Sequence, residues 1–421
     1  TLLDEVVAIT EYPNALYGSF DEKFLELPNE VIITSMKINQ KYFAIYKSDK
    51  LNNGFIVVCN SYDKDAFDEI TKGNERVLKA RLEDALFFYK NDKKSFIKDE
   101  IDERLKNIEF IQDSMFDKVE REIKIASILC EILNQDSNNI TKAISISKND
   151  LLSEMVGEFG ELQGIMGSYY TTDETLKLMI KEQYLPLQED SLLPSSLESA
   201  IVAISNKLDS ILSLFAIDKI PSGSKDPFAL RRAASGIIKI VMRFEISLNL
   251  FDILPRLKLY YKKIDENRIF EFFCERLEST LNVNQSIINA AIKSNQKDFA
   301  ELIKQIYALK SIPNDFKILF KRIANILKNV EIKADSIKQD LFEYDEERIL
   351  FEALEKFKLF DIKAPKERIE KLLSFKEVLQ KFFDNVMINV DDEKIRENRI
   401  LLINTIYEEF FKVGDIKEIS F

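Results

Sequence analysis

Residues 223–233 read Gly223-Ser224-Lys225-Asp226-Pro227-Phe228-Ala229-Leu230-Arg231-Arg232-Ala233, and they follow Pro221 and Ser222. The small and turn-forming residues predict a loop. Asp226 then fits a helix N-cap, where its carboxylate can accept an N–H that has no partner inside the helix. Pro227 suits the first helical position, where its missing N–H costs nothing, so a helix is expected from Phe228 onward. Such a helix would present its N-terminus beside Lys225, with Arg231 and Arg232 on its first turns. Backbone N–H groups and cations in that arrangement could hold a phosphate. An ordinary capped helix is the plainer reading, and the stretch is not a P-loop, because GxxxxGK[ST] is absent.

Working outward, helix should dominate the chain. Only 10 Gly and 9 Pro punctuate 421 residues, and four of those glycines fall between Gly157 and Gly167. From Asn74 to about Lys90, Val77, Leu78, Leu82, Ala85, Leu86 and Tyr89 recur at helical spacing. Phe375, Val378, Leu379, Phe382, Phe383, Val386 and Met387 form a second stripe, expected to face a core. The first hundred residues differ: Lys41 to Lys47 reads as a strand, Ser48 to Gly54 as a turn and Phe55 to Cys59 as a second strand, giving an α+β segment. No repeat of 20 to 50 residues is evident.

Composition removes several chemistries. With no histidine, the chain holds no Ser/His/Asp triad, no imidazole base and no Cys/His zinc cluster. Cys59, Cys130 and Cys274 are far apart, as suits thiols in a reducing compartment. No apolar run approaches the roughly 18 residues of a membrane span, so a cytoplasmic protein is expected. The opening Thr1 to Glu11 is neither a basic nor an apolar leader and reads as the start of a fragment of something longer. A net charge of −12 argues against coating DNA or RNA through a bulk positive field. Any nucleic-acid contact must be local. One candidate is Lys304 to Lys333, where Lys304, Lys310, Lys317, Lys321, Arg322, Lys328 and Lys333 face only Asp315 and Glu331.

Several stretches together resemble the beta subunit of the heterotetrameric bacterial glycyl-tRNA synthetase. They are Ser35-Met36-Lys37 with Gln40-Lys41-Tyr42-Phe43, Gly73 to Leu78 with Ala80-Arg81-Leu82 and Asp84-Ala85, and Phe87-Phe88-Tyr89. Glu161-Leu162-Gln163-Gly164-Ile165-Met166-Gly167 before Tyr169-Tyr170, and the 223–233 stretch, are the most specific. Ser168 departs from the pattern, which usually has an arginine before the paired tyrosines.

The resemblance implies a mainly α, multidomain protein: an α+β portion over 1–110, an HD-like helical domain over 111–245, a helical linker over 246–299 and an anticodon-binding domain of arginyl-tRNA synthetase type over 300–421. Active HD-type phosphohydrolases bind metal through histidines. Here the corresponding place reads Ser147-Lys148-Asn149-Asp150, so hydrolysis is expected to be lost and Asp150 to cap the helix entering Leu151 and Leu152. Neither catalytic nor metal-binding residues are expected. The implied partners are tRNA-Gly and an alpha subunit, in an alpha2-beta2 assembly, with neither membrane nor DNA. ATP and magnesium belong to the alpha subunit, which forms the glycyl-adenylate, while this subunit grips the tRNA. Candidate RNA-binding residues are Lys317, Lys321, Arg322 and Asn325 in the C-terminal segment, with Lys225, Arg231 and Arg232 in the loop-and-helix stretch. An RNA-binding or assembly module without a role in charging is the alternative. Gly157 to Tyr170 is read as a tight packing element, with a surface for the alpha subunit as the other reading.

Overall fold

The fold comes from a computed structural model that describes every residue except Glu189, Ser224, Asn329, Lys333, Ala334 and Phe421. Ser224 of the 223–233 stretch and Lys333 of the basic stretch therefore lie outside the described residues. Nineteen α-helices and two small sheets occur among the described residues, so the chain is mainly helical. It divides into two compact units, Thr1–Leu214 and Phe215–Phe421.

In the first unit, β1 (Pro13–Ser19), β2 (Phe43–Lys47) and β3 (Lys50–Asn60) form an antiparallel sheet in the order β1-β3-β2. The turn between β2 and β3 is shorter than the Ser48–Gly54 expected from the sequence. It comprises Ser48 and Asp49, both with positive φ, 50° and 61°, the twist that matches a tight hairpin. β3 accordingly begins five residues before Phe55. A 29-residue helix, Phe67–Ser95, crosses this sheet and buries Leu78, Leu82 and Ala85 on one face. These pack with Phe24, Val31, Met36 and Phe55 from the sheet side, and with Met155, Phe159, Leu162 and Tyr170 from further along the chain. Each such side chain withdrawn from water stabilises the fold by about 1.5–3 kcal/mol.

The glycine stretch is a packing element within this unit. Gly164 has φ +79°, a left-handed conformation that L side chains rarely adopt. A Cβ on Gly167 would lie 3.0 Å from Ile180 Cγ2 and 3.2 Å from Asp150 Oδ2, so glycine lets the helix Ile165–Tyr170 seat closely on the helix Glu174–Glu182. Ser168 is buried, and its hydroxyl donates to the Ile165 carbonyl at 2.7 Å, so it is not a surface position.

Among its described residues the second unit has helices and no strand apart from isolated bridges. Its C-terminal part is built from Asn314–Ile326, Asp345–Lys358, Pro365–Leu373, Lys376–Asn385 and Glu393–Phe411. Phe316, Phe320 and Phe410 form its aromatic centre, with the Phe320 and Phe410 rings 4.3 Å apart. The stripe read from Phe375 onward does bury Phe375, Leu379, Phe382, Phe383 and Val386. Met387 is 70% exposed instead, because the helix stops at Asn385 and Val386 is already extended. Its carbonyl, rather than its side chain, is used: it accepts from the buried Arg399, whose guanidinium also pairs with Glu347 at 2.9 Å.

Candidate nucleic-acid interface

The 223–233 stretch folds differently in detail from the sequence expectation. The helix is Leu230–Phe244, not one starting at Phe228, because Ala229 adopts a left-handed conformation (φ 56°, ψ 33°) that interrupts the path. Asp226 still caps it, from four residues upstream: its carboxylate accepts from the Leu230 and Arg231 N–H groups at 2.9 and 3.0 Å. Those donors are therefore already satisfied by a carboxylate, and a phosphate there would have to displace it. Arg231 is half-buried and donates to the Gly223 carbonyl at 2.7 Å, which pins the loop to the helix. Lys225 and Arg232 are exposed, as is Phe228, with the Lys219 ammonium 5.7 Å from its ring. What this corner offers is thus side-chain cations around an exposed ring rather than free backbone donors.

In the C-terminal part, the basic stretch is divided between two helices. Lys304 and Lys310 lie on Phe299–Lys310, where Lys304 pairs with Glu301 at 2.9 Å and Lys310 donates to the Asn282 carbonyl. The helix Asn314–Ile326 buries Phe316, Phe320, Ile323 and Ala324 and turns its other side outward. Lys321 and Asn325 are exposed on that side, one helical turn apart. Lys317 is half-buried and donates to Asn314 Oδ1. Arg322 is committed to the fold: its guanidinium lies 4.8 Å from the centre of the Phe383 ring and donates to the Phe383 carbonyl at 3.0 Å. The structure therefore brings Lys317, Lys321 and Asn325 together on one helix and turns Arg322 toward Phe383.

A second concentration of charge, not anticipated from the sequence, lies inside the first unit. Lys118, Arg121 and Glu122 on the helix Met115–Ile132 meet Lys148 and Asp209, all buried. The Lys118 ammonium sits 3.0 Å from both Glu122 and Asp209, and Arg121 Nε donates to Asp209 at 2.6 Å. Burial opposes the Lys118 charge, but the two carboxylates outweigh it and raise its pKa. Burial likewise opposes the Asp209 charge, and Lys118 and Arg121 outweigh it and lower its pKa. Lys148 is held below its ordinary value by burial, despite Glu122 at 3.5 Å. The signal was present in the spacing: Lys118, Arg121 and Glu122 continue the buried stripe of Ile125, Ala126 and Leu129 on the same helical face. With Asp209 taken by two cations, the cluster offers nothing to solvent.

Asp150 does not cap the residues that follow it. It is fully buried, and one carboxylate oxygen accepts from the backbone N–H groups of Gly164 and Gly167 at 2.5 and 2.9 Å. Burial pushes its pKa up to about 6 against those two donors. The following helix, Glu154–Glu158, is capped by Ser153, and by Asp92 across the unit, which also accepts from the Tyr170 hydroxyl. Asp150 thus ties the glycine stretch down and performs no exposed chemistry. Among the described residues no group of three or more His, Cys, Asp or Glu is arranged to hold a metal ion. No helix among them is long and apolar enough to cross a membrane.

Comparison with known proteins adds two matches in tandem. A family model described as glycyl-tRNA synthetase beta subunit matches residues 1–293, and one described as DALR anticodon binding domain matches residues 318–413. Curated relatives called glycine–tRNA ligase beta subunit are 42% identical in Helicobacter pylori strain Shi470, 38% in Coxiella burnetii strain Dugway and 35% in Streptococcus gordonii. Each similarity covers 100% of this chain but 64% of the relative, so the chain spans a little under two thirds of their length.

Proposed function

Because the chain belongs to the glycyl-tRNA synthetase beta subunit family, we propose that it is the tRNA-gripping part of a cytoplasmic glycine–tRNA ligase. It recognises tRNA-Gly and positions it for ATP-dependent glycylation on an alpha subunit. The observation that carries this reading is the outward side of the helix Asn314–Ile326, whose residues 318–326 lie within the segment matching the anticodon-binding domain. Lys321 supplies a cation there for a phosphate, and Asn325 a donor and acceptor for the edge of an unstacked base. The inward Phe316 and Phe320 anchor the helix, so the backbone positions that carry these groups are set before RNA arrives.

In this reading the chain contributes orientation, not bond making. Gripping the anticodon end holds the acceptor end against the adenylate, which converts an encounter between two molecules into a positioned reaction. Such positioning is worth up to roughly 7–11 kcal/mol in well-oriented systems. It requires no histidine and no metal from this chain. The HD-like ancestry of residues 111–245 belongs to the same proposal. Its support is the resemblance at Ser147-Lys148-Asn149-Asp150, a stretch that is buried here and holds a lysine and a carboxylate but no histidine. The finer division at 110, 245 and 300 is part of the proposal too.

The test is steady-state glycylation by the full-length subunit carrying this chain, mixed with alpha subunit. Lys321→Ala and Asn325→Ala should each raise KM for tRNA-Gly several-fold and leave kcat within about twofold. Unchanged kinetics in both variants would overturn the placement of the anticodon grip. No charging at all on adding alpha subunit would favour an RNA-binding or assembly module.

A further inference from the structure

The helix Asp345–Lys358 ends in Lys356-Phe357-Lys358-Leu359-Phe360, and the helix Pro365–Leu373 returns beside it. Between them lies a cleft of about 340 Å³ lined by Ala353, Lys356, Phe357, Phe360, Lys371 and Phe375, with Ser374 at its edge. That volume falls at the small end of ligand sites, roughly 300–1,000 Å³. Phe357 and Phe375 form its floor, buried and packed edge to face with centroids 5.8 Å apart. Phe360 is the wall, and it is 54% exposed, next to Leu359 at 85%. Two consecutive large apolar side chains left in water at a helix end need a reason.

The charges around the cleft state what it would accept. Lys371 lies 3.6 Å from the centre of the Phe360 ring and 3.1 Å from Glu367. Four nearby carboxylates already have a cation: Glu355 has Lys358, Asp361 has Lys363, Glu367 has Lys371 and Glu370 has Lys366, while Glu352 lies exposed one turn before Lys356. Lys356, exposed at the rim, has no ion pair or side-chain hydrogen bond among the described residues. A chain of net charge −12 thus presents an aromatic-walled cleft lined by two lysines and no carboxylate, inside the segment that matches the anticodon-binding domain. An apolar peptide would leave the Lys356 charge unanswered, whereas a nucleotide fills both needs: its base stacks on an aromatic face and its phosphate meets the ammonium.

We propose that this cleft takes one unstacked base of the anticodon loop of the bound tRNA, stacked on Phe360, with Lys356 on a flanking phosphate. The site rests on the tRNA-gripping reading above and extends it to residues more than 30 positions beyond Asn325. Lys371 steadies the ring from one face and leaves the exposed part of it for the base.

The experiment uses the whole chain and tRNA-Gly transcripts carrying 2-aminopurine at one anticodon-loop position at a time. Stacking quenches this fluorophore, so binding should dim it at one position. Phe360→Ala should restore the fluorescence and weaken binding about tenfold, while Phe360→Tyr, which keeps the ring, should preserve both signals. Lys356→Ala should weaken binding and reduce the slope of log affinity against log salt by about one. Because both side chains are exposed, the variants should give an unchanged circular dichroism spectrum. If the chain binds tRNA-Gly and quenching survives in Phe360→Ala, the cleft proposal fails while the tRNA-gripping reading stands. If the chain binds no tRNA, both fail. If Phe360→Ala spares tRNA binding but abolishes association with alpha subunit, the cleft is a protein site and the proposal is overturned.

Discussion

Replacing Asp209 by Asn should loosen the first unit by about 3–5 kcal/mol, the usual cost of leaving a buried cation without its partner. Asp209 is fully buried and serves two cations at once, Lys118 at 3.0 Å and Arg121 at 2.6 Å. Asparagine keeps the shape but cancels the charge, so only Glu122 and the half-exposed Asp113 remain to balance them. The chain has no tryptophan to report unfolding locally, which makes hydrogen exchange read by mass spectrometry the assay of choice. At about 1.4 kcal/mol per tenfold, a 4 kcal/mol loss should speed exchange of the slowest amides in Met115–Ile132 and Leu197–Phe215 roughly a thousandfold. Amides of Glu393–Phe411, in the other unit, should not change. Adding Arg121→Met should recover part of the loss, since one uncompensated charge is then removed. An acceleration below tenfold in Asp209→Asn would refute the claim that this cluster is dry and electrostatically closed.

Two further perturbations test the packing and the burial. Gly167→Ala should cost about 1–3 kcal/mol, because its Cβ would press on Ile180 and Asp150, whereas Gly157→Ala meets nothing within 4 Å and should be neutral or mildly stabilising. Equal melting temperatures for the two variants would contradict this. Lys207 donates to the Tyr184 and Pro186 carbonyls, and burial holds its pKa down to about 8 against an ordinary 10.5. Below pH 8 it is charged in both folded and unfolded chains. Between about pH 8 and 10.5 the unfolded chain alone keeps the proton, so stability should rise with pH, by on the order of 3 kcal/mol over that window. Urea midpoints of wild type and Lys207→Met should therefore diverge across it, and parallel curves would argue against the depressed value.

Local periodicity made the long helix legible: Leu78, Leu82 and Ala85 mark one face, and the helix extends past both ends of that stripe to Phe67–Ser95, where Phe67 and Ile70 still pack against the core and the buried Asp92 caps a later helix. β1 was not legible, since Pro13, Asn14 and Gly18 are poor strand formers. It exists because it pairs along β3 as an edge strand, where a terminal proline is tolerated. The hairpin's two-residue turn was hidden by Asn52, Asn53 and Gly54, which read as loop but lie within β3, beside a bulge in its pairing with β2. Arg322 stacks on Phe383, 61 residues away in sequence, a meeting that no local pattern announces. Asp150 shows the same limit: its partners are the N–H groups of two glycines 14 and 17 residues on, visible only once the glycine stretch has folded back over it.

The central claim is that this chain grips tRNA-Gly through its C-terminal helices, and binding across a salt series tests it most directly. The chain should bind tRNA-Gly more tightly than a non-cognate tRNA, with affinity falling steeply as salt rises. Lys321→Ala and Asn325→Ala should each weaken the complex, the first with a shallower salt slope. Equal binding of both tRNAs, or no loss in either variant, would contradict the account.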